Sequence, residues 1–262
     1  LWRQSYKVIS SANMLIEKTN DDVPVEDRVG AIYRAYAYSA LLNYFGGTPI
    51  IVTVTPQGDE LRNSEDEVRD FIIRDCDEAY TMLPSSSGIR YVAQQIKART
   101  LLGGKDFAGA ANALQEIINS GIYSLQHEAL MEGIDMELPE AMQKGTQSYL
   151  FRYTETLLMY AEAQTELGNT GKAAEIVNQI AEAQGLSPTL SPSATQEQCR
   201  EVIHSFWTNI LDREGHEFAR LKRTGKFMET LGQYGAQSRH QLLPIPAPEL
   251  YYNPNMTQNP GW

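Results

Sequence analysis

Tyrosine is the residue type of this sequence that most suggests binding chemistry, because the chain has 14 tyrosines among its 262 residues. Aromatic rings pack against the C–H faces of sugar rings and lose little conformational entropy when they are fixed. Tyr33, Tyr36 and Tyr44 lie on the apolar stripe of a predicted helix, where core packing is the expected role. Ligand contacts are expected instead from aromatic residues in loops or beside such stripes. The candidates are Trp207, beside a stripe, and Tyr149, at the end of residues 126–148.

A pair of carboxylates would suggest glycoside hydrolysis, and Glu155 and Glu162 lie seven residues apart on one predicted helix. Seven residues place them about 10 Å apart along the helix axis. That is beyond the usual separation of the two carboxyl groups in an inverting glycosidase. We therefore expect solvated or hairpin-bridging glutamates, no catalytic residue and no enzymatic activity.

The sequence contains no motif typical of a metal site, a redox site or a phosphate-binding loop. The four histidines show no HExxH spacing, and the glycines before Lys105 lack the rest of a phosphate-binding loop. Cys76 and Cys199 form no CxxC pair, so we expect two buried thiols, with one long-range disulfide as the open alternative. No metal and no cofactor are expected.

The charge balance bears on possible partners. Lys and Arg total 22 and Asp and Glu total 33, which gives a formal charge of −11. Such a field repels a phosphate backbone, so a nucleic-acid partner is not expected. No window of about 18 apolar residues suggests a membrane span. No leader precedes Trp2, so we expect a processed product or a piece of a longer protein.

The apolar residues recur at helical spacing almost throughout, which predicts an all-α fold in one domain over residues 1–262. Helices are expected at about 5–18 and 26–45, and Ser64 and Thr195 each begin a capping-box pattern. Helical hairpins are predicted over about 91–121 and 149–185. In both, a Leu-Gly turn precedes an Ala-Ala pair, an arrangement of the tetratricopeptide-like kind.

Two stretches depart from the helical pattern. Residues 48–55 are rich in β-branched residues and predict an extended segment or a strand, with no evident partner strand. Residues 242–262 are rich in proline, which removes backbone donors, so an irregular extended tail is expected there. Leu242, Leu243, Ile245, Leu250, Tyr251 and Trp262 are expected to hold this tail to the body.

Four segments together resemble one family. They are the Arg-Ala-Tyr helix and Phe-Gly turn of residues 33–50, the tyrosine-containing helix of residues 151–163, the Gly-His to Thr-Gly-Lys stretch of residues 215–226, and the terminal segments 243–246 and 253–262. Their order and content resemble the SusD/RagB nutrient-binding lipoproteins of the Bacteroidetes outer membrane.

The resemblance implies an all-α body with tetratricopeptide-like repeats on the outer surface of the outer membrane. It also implies capture of oligosaccharides and their delivery to a SusC-like TonB-dependent transporter. The alternative is a tetratricopeptide-type scaffold, or a transporter lid, that binds peptides instead of glycans.

Two departures from the family pattern concern the anchor and the ligand. The lipid anchor expected of the family is absent from these 262 residues, so attachment to the membrane would require a segment outside them. Family members also usually carry a long variable segment between the hairpins, and here residues 126–148 fill that place. The identity of the glycan is therefore left open.

Overall fold

The computed structural model describes residues 1–18, 28–132 and 149–262, and these form mostly helices. They divide into two compact units: the first unit contains residues 1–104 and 218–262, and the second unit contains residues 105–217. Two compact units form a single domain if they fold in one cooperative transition, so the expectation of a single domain stays a prediction. None of the described helices is long and apolar enough to cross a membrane.

The first unit is built around four helices that pack in chain order: α1 against α2, α2 against α3, and α3 against α4. Its later part consists of short helices and the tail. The helices of this unit are α1 (Trp2–Lys18), α2 (Gly30–Phe45), α3 (Glu65–Met82), α4 (Ile89–Gly103), α9 (Glu217–Arg223, from its second residue), α10 (Phe227–Leu231) and α11 (Ala247–Tyr252).

Burial explains why α2 is central to the first unit. It is apolar nearly all round, and residues from three of its sides, including Ile32, Tyr38 and Leu41, are almost fully buried. A helix that is hydrophobic on every side must be covered by neighbours. It ends at Gly46, where φ is +74° and ψ is −134°. This positive φ lies in a region of backbone space that glycine adopts readily.

A buried ion pair connects the first three helices. Arg34 of α2 donates two hydrogen bonds to Asp75 of α3, at 2.7 and 2.8 Å. Its third contact is a 2.9 Å hydrogen bond to the Asn13 amide oxygen of α1. Such a pair stabilises a core only when the buried charges are well hydrogen-bonded, and here each guanidinium nitrogen and both carboxylate oxygens have a partner.

The second unit surrounds one buried helix. Helix α6 packs against α5, α7 and α8, and every residue from Tyr153 to Thr165 is buried. The elements of this unit are α5 (Phe107–Asn119), β1 (Ala129–Glu132), β2 (Tyr149–Arg152), α6 (Tyr153–Glu166), α7 (Thr170–Ala183) and α8 (Gln196–Ile210).

The structure confirms the all-α, tetratricopeptide-like class and changes several details. The helix predicted from Tyr149 begins four residues later, because residues 149–152 form β2 and pair antiparallel with β1. Helix α4 belongs to the first unit and α5 to the second, so the hairpin of residues 91–121 stays a prediction. The start expected near residue 26 for the second helix lies outside the described residues, and α2 begins at Gly30.

Both predicted capping boxes are present. The Ser64 hydroxyl accepts a hydrogen bond from the Glu67 backbone, and the Thr195 hydroxyl accepts one from the Gln198 backbone. In each case the third helical residue reaches back to the cap. These local patterns are reliable because both partners lie within one turn of the chain.

Candidate functional site

A groove opens on the first unit between three walls: α1, the wall segment (residues 48–60) and the tail (residues 242–262). Its volume is about 450 Å³. Aromatic, cationic and anionic side chains all face it. It is lined by Trp2, Arg3, Tyr6, Lys7, Ser10, Pro49, Ile51, Pro56, Gly58, Glu60, Glu249, Tyr252, Asn253 and Met256.

Helical spacing explains the α1 wall. Trp2, Tyr6 and Ser10 are four residues apart, as are Arg3 and Lys7, so each set lies along one side of the helix. The Trp2 and Tyr6 rings lie 5.2 Å apart, and Trp2 is 5% exposed. The aromatic side chains therefore form the inner part of this wall, while the cations are exposed.

The wall segment is held by side chains in place of a partner strand. The Tyr6 hydroxyl donates to the Pro49 carbonyl at 2.8 Å. The Asn13 amide donates to the carbonyls of Ile51 and Thr53, at 3.1 and 3.0 Å. The sequence predicted an extended segment or a strand here. The structure shows irregular backbone without strand pairing, in which three carbonyls accept hydrogen bonds from side chains of α1.

The two tyrosines that hydrogen-bond to the wall segment, Tyr6 and Tyr38, stay protonated because they are buried. Burial raises the pKa of Tyr6 well above its usual range and also raises the pKa of Tyr38. The Tyr38 hydroxyl accepts a 2.6 Å hydrogen bond from the Ile51 backbone. At the tip of the segment, the Glu60 carboxylate accepts hydrogen bonds from the backbone of Gln57 and Gly58, at 2.6 and 3.0 Å.

Side-chain amides fix the tail wall. Asn259 is 3% exposed and donates to the carbonyls of Phe45 and Leu243, at 3.0 and 2.7 Å. Asn253 donates to the Glu60 carbonyl at 2.9 Å, which joins the tail to the wall segment. The tail is therefore ordered through amide-to-backbone hydrogen bonds rather than through a ladder of its own.

The tail also corrects the sequence prediction in two ways. It contains the short helix α11, with a proline in its first turn, where the missing N–H is no loss. Tyr251 was expected to hold the tail to the body, but it is 81% exposed. Ile245, which is 1% exposed, is buried as expected, and the Trp262 indole donates to the Leu242 carbonyl at 2.9 Å.

The two aromatic residues predicted as ligand contacts lie in the second unit and do not line the groove. Trp207 of α8 is 3% exposed, and its ring is 5.5 Å from that of His216. Tyr149 begins β2, and its side chain lies outside the described part of the chain. Their role in binding stays a prediction.

Sequence reasoning missed the exposed tyrosines of the tail. Tyr251 and Tyr252 are 81% and 77% exposed. The available signal was two adjacent tyrosines within a proline-rich stretch, since aromatic residues outside helical stripes are the ones free to meet a ligand.

The glutamate pair of the sequence analysis is not solvated. Glu155 and Glu162 are 1% and 8% exposed on α6. The Glu155 carboxylate lies 3.6 Å from the His216 ring nitrogen, beside Glu214 at 3.9 Å from the other nitrogen. Glu155 is thus the buried member of a polar cluster in the second unit whose other members, His216 and Glu214, are partly exposed.

The two cysteines and Lys222 occupy structural positions. Cys76 and Cys199 are buried free thiols, as expected, rather than a disulfide. The Lys222 amine donates to the Asn43 carbonyl in the last turn of α2, where the helix dipole favours a cation. Within the described ranges, no group of three potential ligands is arranged to hold a metal ion.

Comparison with known proteins gives consistent matches. Residues 130–262 match the sequence profile of the SusD family, and residues 1–100 match a second profile described as "Starch-binding associating with outer membrane". A SusD-like protein of Formosa agariphila is 32% identical over 122 residues, which is 44% of this chain. The match spans 24% of that relative's length.

Solved structures extend the similarity to the whole chain. A SusD-like protein from Bacteroides fragilis has a TM-score of 0.85 at 16% identity, covering 100% of this chain and 85% of its own. A structure described as a laminarin-binding SusD-like protein has a TM-score of 0.81 at 20% identity, with the same coverage. At these identities the similarity establishes the fold.

Proposed function

Because this chain belongs to the SusD family, we propose that it is a cell-surface binding protein that captures oligosaccharides and delivers them to a SusC-like TonB-dependent transporter. The observation that carries the proposal is the groove of the first unit, where aromatic rings and charged groups face one open space. One of the similar solved structures is that of a laminarin-binding SusD-like protein, and the second matching profile is described as starch-binding.

The chemistry of the groove suits a sugar. A pyranose ring presents C–H faces, which pack on aromatic rings, and hydroxyl groups, which both donate and accept hydrogen bonds. Tyr6 and Tyr252 supply aromatic surface, while Lys7 and Glu249 supply a donor and an acceptor. An open groove of this kind favours modest affinity for each site, since little of the ligand is enclosed.

We propose binding without catalysis. A glycosidase needs two carboxyl groups facing the scissile bond. Glu155 and Glu162 are instead buried along α6. Of the two glutamates that face the groove, Glu60 accepts hydrogen bonds from the backbone of Gln57 and Gly58 and so supports the wall segment. Incubating the protein with a polysaccharide panel and measuring released sugars tests this proposal. Release of sugar by the purified chain would contradict it.

The test of the binding function is retention of the purified chain on a panel of immobilised polysaccharides and peptides. We expect retention by at least one glycan class, with laminarin and starch as the first probes. Retention by peptides alone would move the assignment to a peptide-binding lid or a tetratricopeptide-type scaffold. Variants of Tyr149 and Trp207 belong in the same assay, because these residues remain proposed contacts.

Delivery to a transporter and location on the outer membrane are the finer parts of this proposal. The anchor would be a lipid attached outside these 262 residues. Purification of the full-length lipidated protein from outer membranes in mild detergent tests both parts. We expect a SusC-like barrel to copurify, and purification of the protein without such a barrel would contradict the partnership.

A further inference from the structure

Two adjacent tyrosines stand in solvent at the rim of the groove. Tyr251 and Tyr252 are 81% and 77% exposed, and Tyr252 lines the groove. Their ring centroids lie 5.0 Å apart at 87°, so one ring stands upright beside the other. Covering apolar surface is favourable by about 25 cal/mol per Å², and this perpendicular pair is an uncovered aromatic corner.

The backbone that carries Tyr251 and Tyr252 is held in place by hydrogen bonds. Helix α11 carries Pro248 in its first turn, and the Asn253 backbone donates to the Glu249 carbonyl at 3.1 Å. The Asn253 side chain donates to the Glu60 carbonyl at 2.9 Å, and Met256 is 7% exposed. A ring on a fixed support loses little conformational entropy when it binds, so its contact area is converted more fully into affinity.

The groove beside Tyr251 and Tyr252 is lined by equal numbers of cationic and anionic side chains. Arg3 and Lys7 face the groove from α1, and Glu60 and Glu249 face it from the other walls. The whole chain carries a formal charge of −11. An acidic ligand would meet this repulsive field without a net positive site to offset it, whereas a neutral polyol would find both donors and acceptors.

We propose that Tyr251 and Tyr252, together with the groove, form a stacking subsite for one sugar ring of a neutral oligosaccharide. The subsite rests on the proposed glycan-binding function and assigns its residues and ligand class. Tyr252 packs against the C–H face of the ring, and the ring hydroxyls lie toward the charged groups of the groove. Tyr251 covers the ring edge from the perpendicular side.

The test is calorimetric titration of the whole chain with laminarihexaose, maltohexaose and, as an acidic probe of the same length, hexagalacturonate. Tyr252→Ala is expected to raise Kd for the bound neutral glucan about three- to tenfold. Tyr252→Phe keeps the ring and is expected to leave Kd within about twofold of the unchanged chain. Tyr234→Ala is the matched control, because Tyr234 is 80% exposed in the same unit and does not line the groove.

The outcomes separate the subsite from the function. If the unchanged chain binds a neutral glucan and the double variant Tyr251→Ala with Tyr252→Ala binds it equally well, the subsite is wrong and the proposed function stands. If hexagalacturonate binds more tightly than either neutral hexamer, the assignment of a neutral ligand is wrong. If no glycan of the retention panel binds, the proposed function fails and the subsite fails with it.

Discussion

At the scale of single residues, the Arg34–Asp75 pair explains how the core supports the groove. Arg34 holds Asn13, and Asn13 holds the carbonyls of the wall segment, so a buried charge is connected to the groove through two side chains. The sequence predicted the helices that carry these residues. It did not predict the pairing, because Arg34 and Asp75 are 41 positions apart and no local pattern relates them.

We predict that Arg34→Met lowers the free energy of unfolding by about 3–5 kcal/mol, because it leaves the Asp75 carboxylate buried without its partner. Urea denaturation measures the change. The double variant Arg34→Met with Asp75→Leu is expected to recover part of the loss, since no buried charge remains. A double variant less stable than the single one would contradict this account.

Lys222 gives a prediction about pH. Burial lowers the pKa of Lys222 to about 8, whereas a lysine in an unfolded chain titrates near pH 10.4. Between these values the unfolded chain holds the proton and the folded chain does not, so this group's contribution to stability rises with pH. The free energy of unfolding of the unchanged chain, minus that of Lys222→Met, should therefore rise by about 2 kcal/mol from pH 8 to pH 10.

The comparison with the variant isolates Lys222 from groups that titrate nearby. Burial raises the pKa of Cys76, Cys199 and Tyr6, and these groups act in the opposite direction in both proteins. Urea denaturation at several pH values measures the difference. Parallel pH profiles for the two proteins would show that Lys222 titrates normally in the folded state.

At the scale of elements, what could be predicted depended on distance along the chain. Both capping boxes and the apolar faces of the helices follow from neighbours within a few turns. The strands β1 and β2 are separated in sequence by residues 133–148, so their pairing is not visible in the local pattern. The sequence therefore predicted a helix start at Tyr149 where the structure has β2. The walls of the groove depend on contacts between distant segments, such as Asn259 with Phe45, which are 214 positions apart.

The cap of α8 gives a simple test at this scale. Thr195→Ala removes the hydroxyl that accepts from the Gln198 backbone and is expected to cost about 1 kcal/mol. Thr208→Ala on the exposed side of the same helix is the matched control, and we expect it to change stability little, because alanine favours helix. Equal losses in thermal or urea denaturation would contradict the capping role.

A larger loss of stability is expected from a change in the tail. Asn259→Ala removes the donor that the carbonyls of Phe45 and Leu243 share, and it removes an acceptor of the Arg62 guanidinium. It is expected to cost about 2–3 kcal/mol. Faster amide hydrogen exchange in residues 242–262 should accompany the loss, because the tail has no ladder to retain it. Tyr251→Ala, at an exposed residue of the same tail, is the control, and a similar effect of both changes would argue against a specific clamp.

At the scale of the whole molecule, the terminal motif that carries the family resemblance acts here as a structural clamp that places the tail against the wall segment. Tyr251 and Tyr252 lie between the two segments of that motif and are exposed to solvent. The fold class was predictable because helical periodicity is local and pervasive. The groove was not, because exposure of Tyr252 depends on how the tail lies against α1 and the wall segment within the first unit.

The most direct test of the central claim is a crystal structure of the chain grown with whichever of laminarihexaose and maltohexaose it binds more tightly. We predict a sugar ring in the groove of the first unit, stacked on Tyr252 and within hydrogen-bond distance of the charged groups that line it. A bound oligosaccharide elsewhere on the protein, with the groove free of sugar, would contradict the account.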